Sequence, residues 1–159
     1  MSFKYKELVQ FRDNLLDLID DVPEIVEELV VGEGVYAVKQ AKTIAKNDKI
    51  VDTGAYRNNF HAGNKAMAHS NNKDHDGSKP QRNGNTYRID VYNNIDYAKH
   101  LEYGHRVVVV KDGKKIDTGK YVKGRFVLLR AIRRTKITQE ARLKRKFDRK
   151  IKEYIEREL

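Results

Sequence analysis

Few residues in this chain have types and spacings that could do chemistry. The triplet Asp52-Thr53-Gly54 recurs as Asp117-Thr118-Gly119. An aspartic protease brings two such loops together so that paired carboxylates share a proton and activate water. The surroundings do not suit that use. Proteases of that kind are almost wholly β, whereas long charged segments with a helical pattern flank these triplets. The second copy sits between Lys115 and Lys120 without an apolar strand leading into it. Asp-Thr-Gly is also ordinary turn chemistry, because Asp accepts from nearby backbone N–H groups and Gly tolerates positive φ. The turn reading is preferred, and peptidase is kept as a third reading behind two others given below.

The five histidines add little. His100 and His105 flank Glu102 at a spacing of five, which is neither the i, i+4 pair of a zinc helix nor an H-E-x-x-H motif. His61, His69 and His75 fall in a polar stretch, where a solvated or interface role is expected. There is no cysteine, so disulfides, thiolate metal sites and cysteine nucleophiles are excluded. No serine occupies a nucleophile elbow, and no glycine-rich phosphate loop follows a strand. The expectation is a protein with no catalytic residues, no metal and no cofactor.

The elements that would position any site follow from periodicity. Leu8, Phe11, Leu15, Leu18 and Ile19 recur at three- and four-residue spacings, which predicts an amphipathic helix from Phe3 to about Asp20. Asp20-Asp21-Val22-Pro23 reads as a break and restart. A second helix is expected from Pro23 to about Lys46, with a kink possible at Gly32 and Gly34. The segment from His61 to Asn85 has one large apolar residue, Met67, and is expected to be a mobile polar loop. Tyr87, Ile89 and Val91 then alternate with polar residues as a half-buried strand does. Tyr97 to Gly104 reads as a short helix. Arg106-Val107-Val108-Val109-Val110 and the run after Lys114 are joined by Asp112-Gly113, a strong hairpin signal. A last helix starts at Phe126, with Phe126, Leu129 and Ile132 on one face, and Thr135 to Thr138 could interrupt it.

These pieces predict an α+β fold in one domain over residues 1–159. It has two N-terminal helices, a small mainly antiparallel sheet with a hairpin, and a long C-terminal helix packed on the sheet. The start of the chain lacks the apolar run of a signal peptide, and no stretch approaches the roughly 20 apolar residues of a membrane span. A soluble protein without a membrane partner is expected.

The net charge of +10 is unevenly distributed. Residues 1–34 hold nine acids against three bases, while residues 123–159 hold fourteen bases against five acids. A basic end alone suggests nucleic acid. Opposite charges at the two ends also suit pairing of the helices with each other, or of neighbouring subunits in a ring. Lys144, Arg145, Arg149, Asp17, Asp20 and Glu24 are the candidate subunit-interface or DNA-facing residues.

The order of the segments carries more information than any one of them. Val-Asp-Thr-Gly-Ala-Tyr-Arg-Asn-Asn-Phe follows an alanine-rich helix. Tyr97-Ala98-Lys99-His100-Leu101-Glu102-Tyr103-Gly104 comes next, then the hairpin, then Lys123-Gly124-Arg125-Phe126 before the last helix. This arrangement resembles the tail-component family of long-tailed phages and prophages, the tail-completion or head–tail joining proteins, over most of residues 35–135. Tyr56 and Lys123 depart from the family pattern, in which an aliphatic residue and a proline are usual. The resemblance implies a non-enzymatic virion protein, made in the host cytoplasm and working at the neck as a homo-oligomeric ring around the DNA channel. Its partners would be copies of itself, neighbouring head-completion and tail-tube proteins, and DNA passing non-specifically through the lumen. A basic nucleic-acid-binding protein using the C-terminal helix is the alternative.

Overall fold

The computed structural model describes residues 5–50, 54–67 and 73–158. Its order is α1 (Tyr5–Asn47), α2 (Ala55–Asn58), β1 (Phe60–Gly63), a 3-10 turn (Lys65–Met67), β2 (Gln81–Asn83), β3 (Thr86–Arg88), β4 (Asp90–Asn93), α3 (Ala98–Tyr103), β5 (Gly104–Lys111), β6 (Lys114–Lys123) and α4 (Val127–Glu158). The class is α+β, as expected.

The expected two N-terminal helices are one. Tyr5–Asn47 is continuous, with Pro23 inside it, and the part of the expectation before Tyr5 lies outside the described residues. A proline removes only its own N–H, here the donor for the carbonyl of Ile19. Ile19 is 62% exposed, so water can satisfy that carbonyl. C-terminal to the proline, Val38, Ala41, Ile44 and Ala45 are buried at helical spacing and hold the rod against the rest of the molecule. Gly34 does not break it. A Cβ at Gly34 would come within 2.9 Å of the Ala62 Cβ and 3.1 Å of the Ile89 side chain, so the glycine lets the sheet approach the helix closely.

The sheet is three separate antiparallel pairs, β1 with β4, β2 with β3 and β5 with β6. Phe60 faces Asn93 and Gly63 faces Asp90 in the first pair. The core is built from α1, Tyr56, Phe60, Ala62 and the start of α4 at Val127 and Ala131. The anchor of α4 is therefore Val127, fully buried, and not Phe126, which is partly exposed and holds a positive φ of 51°. Leu129 is likewise exposed. Beyond its first turns α4 lies along α1 rather than on the sheet. It is also uninterrupted. The Thr135 hydroxyl donates to the Ala131 carbonyl, and the Thr138 hydroxyl accepts from Arg142, so both threonines are absorbed within the helix.

The polar segment 61–85 is corrected at both ends. His61 and Ala62 belong to β1 and are fully buried, and Gln81–Asn83 form β2. Between them Asp76 gathers four hydrogen bonds, from the Asn64 and Ser78 backbone N–H groups and from the Ser78 and Tyr92 hydroxyls. The Ala62 and Asp76 N–H groups bond the Asp74 and Ala62 carbonyls, and Lys42 pairs with Asp74 at 2.6 Å. A count of large apolar residues misses this stretch because one carboxylate and the backbone organise it. Residues 68–72, including His69, lie outside the described residues.

Candidate functional site

The two later family-like segments meet in space. Glu102, on α3, is buried, and its carboxylate accepts the Leu128 and Leu129 N–H groups at 3.0 and 2.9 Å. Those N–H groups have no partner inside α4, and the helix start favours negative charge. The Leu101 and Glu102 carbonyls accept from the Arg125 and Phe126 N–H groups. Gly104 and Gly124 close the joint. A Cβ at Gly104 would fall 2.4 Å from the Val122 carbonyl oxygen, and one at Gly124 would fall 2.3 Å from the Glu102 carbonyl oxygen. Gly104 also carries a positive φ of 86°. The Tyr97–Gly104 and Gly124–Phe126 motifs thus form a backbone clasp between α3, the hairpin and α4. Of the three residues that could pin α3, Leu101 packs on the core, while Tyr97 and Tyr103 are exposed.

A groove beside the clasp, between β4 and α3, is lined by Tyr56, Phe60, Tyr92, Ile95, Glu102 and Leu128 among others. Burial, and then the charge of Glu102, push the Tyr56 hydroxyl above its usual range. That tyrosine stays protonated and supplies no base.

The triplet 117–119 is hairpin chemistry. Asp117 accepts the Gly119 N–H and pairs with Arg106 at 2.9 Å, both exposed. The Arg106 hydrogen bond, then that from Gly119, lowers the Asp117 pKa. Gly119 has φ 73°. This loop forms the bulge between Arg106 and Val108 in the β5–β6 register. Asp52 and Thr53 lie outside the described residues. The His100 and His105 rings lie 5.2 Å apart and tilted to each other, and the Nδ1 of His105 is buried without a hydrogen-bond partner. Among the described residues no group of three or more His, Asp or Glu could hold a metal ion, and no helix is long and apolar enough to cross a membrane.

The opposite charges at the chain ends meet in part within the chain. Arg142 and Glu33, with side chains 10% and 6% exposed, form a two-point ion pair. The guanidinium also stacks 3.8 Å over the Tyr36 ring and donates to the Thr135 carbonyl. Lys146 stands 3.8 Å from Glu33, Lys150 pairs with Glu28, and Arg130 with Asp48. The side-chain hydrogen bond from Arg130 holds the Asp48 carboxyl below its usual range, against the opposing effect of its burial. These contacts set α1 and α4 antiparallel.

The six candidate residues are not among these pairs. Asp17, Asp20 and Glu24 are exposed on α1, and Lys144, Arg145 and Arg149 are exposed on α4. Arg149 pairs with Glu153 of its own helix, at 3.7 Å, and Arg145 donates to the Ala141 carbonyl. Arg145 and Arg149 line a shallow basic cleft with Arg142 and Lys146. Sequence reasoning missed Glu102, Asp76 and the Glu33–Arg142 pair. Glu102 lies inside the Tyr97–Gly104 family-like segment, whose glutamate could have pointed to it; Asp76 and the Glu33–Arg142 pair also bond to residues distant in the chain.

A family model described as "Bacteriophage HK97-gp10, putative tail-component" matches residues 10–104. No curated protein and no solved structure matches the chain.

Proposed function

Because the chain belongs to the HK97-gp10-like family of phage tail components, we propose that it completes the tail or joins it to the head as a homo-oligomeric ring around the DNA channel. The observation that carries this reading is the charge left over once α1 and α4 have paired. Asp17, Asp20 and Glu24 have no ion-pair partner among the described residues. Among the described residues, Lys144, Arg145 and Arg149 form no ion pair with α1. Acids left unpaired on one subunit support a head-to-tail contact with a different surface of the next, and such contacts close by rotation. In this reading the acids meet a neighbouring subunit, and the basic face of α4 looks onto DNA or onto an axial neighbour.

The test is particle mass, measured with and without tail tubes. Asp17→Lys, Asp20→Lys and Glu24→Lys together should disperse the oligomer. Neutralising Lys144, Arg145 and Arg149 should leave oligomer mass unchanged and flatten the salt dependence of duplex binding, because fewer phosphates are neutralised. The exposed bases of α4 also favour the second reading, a nucleic-acid-binding protein. A protein that stays monomeric with its tail tubes, and binds duplex tightly with a steep salt slope, would establish that reading and remove the ring.

A further inference from the structure

We propose that the β5–β6 hairpin of one copy docks on the acidic N-terminal stretch of α1 of a second copy. The inference rests on the ring reading and names the surfaces that would make the ring.

The hairpin is an arm. Every residue of β6 is exposed, and Val108, Val110, Ile116 and Tyr121 are large apolar side chains left in solvent, Val110 at 69%. Val109 and Ile116 stand opposite each other across the strands, and Val108 and Val110 point to the other face by the two-residue period of a strand. Both faces of the ribbon are therefore apolar. Within the chain its substantial packing is with α3 alone. An isolated two-stranded hairpin is marginal in water, and exposed apolar patches rimmed by polar residues mark interfaces. The rim is basic. Lys111, Lys114, Lys115 and Lys120 are exposed, and the acids are Asp112 in the turn and Asp117, which Arg106 occupies.

The second surface lies on the N-terminal part of α1. Among the described residues, Lys150 pairs with Glu28, and Glu153 and Tyr154 lie beside Asp21, Glu24 and Ile25. N-terminal to these contacts, Leu16 and Ile19 are 53% and 62% exposed. Asp17 and Asp20 stand next to them, with no ion pair among the described residues.

The two surfaces are complementary in both respects. Valine and isoleucine of the arm can cover Leu16 and Ile19, while lysines of the rim face Asp17 and Asp20. Two arms meeting each other would instead oppose lysine to lysine. The charge pattern thus selects a head-to-tail contact over a two-fold one.

The cysteine-free sequence makes the test direct. Leu16→Cys and Ile116→Cys are made separately in the full chain, mixed, and treated with a short bismaleimide. A heterodimer band is expected from the mixture, and none from either variant alone. The doubly substituted chain should give a ladder. Adding Lys111→Glu and Lys114→Glu, which lie on the Ile116 face of the ribbon, to the Ile116→Cys chain should weaken the contact about tenfold in apparent Kd, the scale of about 1.4 kcal/mol. Asp17→Lys and Asp20→Lys on the Leu16→Cys chain should recover most of that loss.

Rings of unchanged mass without the heterodimer band would overturn the docking while leaving the ring reading intact. Homodimers of Ile116→Cys, or its capture by a different tail protein in assembled tails, would also overturn the docking. Absence of any oligomer would overturn both.

Discussion

Replacing Asp76 by alanine tests whether the polar segment 73–85 is part of the folded unit. The carboxylate accepts from two backbone N–H groups and two hydroxyls, at 2.9 Å from Asn64 and 2.7 Å from Tyr92. Burial works against its ionisation. The hydrogen bonds from Ser78, Tyr92 and Asn64 outweigh burial and bring its pKa from 3.8 to about 2. A folded-state value depressed in this way contributes stability that is present above the unfolded pKa near 4 and is lost as pH falls through about 2. The full shift would correspond to roughly 2.5 kcal/mol. Partial solvent access reduces that to about 1–2 kcal/mol. Alanine also orphans the Tyr92 hydroxyl, whose residue is 3% exposed, at a further cost of about 1–2 kcal/mol. The sum, about 2–4 kcal/mol, corresponds to a drop in Tm of roughly 5–15 °C for a domain of this size. Thermal melts at neutral pH and along an acid series read both parts. Wild type should lose stability between about pH 4 and pH 2, and Asp76→Ala should be lower at neutral pH with a shallower acid limb. A variant melting within a degree of wild type, with the same acid limb, would show that this segment contributes nothing to the fold.

Glu102→Ala should lower Tm and raise hydrogen exchange in the first turn of α4, because two N–H groups at the helix start lose their acceptor, at a cost of about 1–3 kcal/mol. Exchange at Leu128 and Leu129 as slow as in wild type would refute the cap. Glu33→Ala alone should destabilise by about 3–5 kcal/mol, since Arg142 is left charged and buried. Glu33→Leu with Arg142→Met should melt within about 1 kcal/mol of wild type or above it. Equal losses in the single and double variants, measured by urea titration, would contradict that account. Deleting residues 65–81 across a glycine-serine bridge should depress the melt at least as far as Asp76→Ala, because the Lys42–Asp74 pair goes as well.

The parts legible in the sequence are those decided within a few residues. Asp112-Gly113 takes φ of 52° and 73°, as a two-residue turn of the hairpin type requires; the single strand expected through Tyr87, Ile89 and Val91 is instead divided at Ile89 into β3, paired with β2, and β4, paired with β1. Gly54 and Gly104 hold positive φ at element ends. The errors arose where a local signal was outweighed from elsewhere. Pro23 signals a restart only if the carbonyl it strands is not hydrated. His61 looks solvated among polar neighbours, yet its strand is covered by α1, and its Nδ1 bonds the Lys73 carbonyl at 2.6 Å. Phe126, expected on one face with Leu129 and Ile132, is turned outward at the start of α4, and Val127 is buried instead. The charge asymmetry is visible in the sequence, and part of it is used inside the chain through Glu28 and Glu33. Which acids and bases remain for a partner depends on the antiparallel offset of two long helices, and no short window of sequence contains that offset.

The clasp at Gly104 and Gly124 gives the arm a mechanical character. Tyr103 ends α3 and Gly104 begins β5, while only residues 124–126 separate β6 from α4. No slack chain lies at either root, and backbone is pressed against backbone on both sides. The arm is therefore a cantilever and not a tether. A sideways load on its tip passes as torque into the start of α4 and along the rod that α4 shares with α1. The place where the ribbon can yield is the bulge between Arg106 and Val108, where the ladder is out of register, so its compliance is concentrated a short way out from a stiff joint.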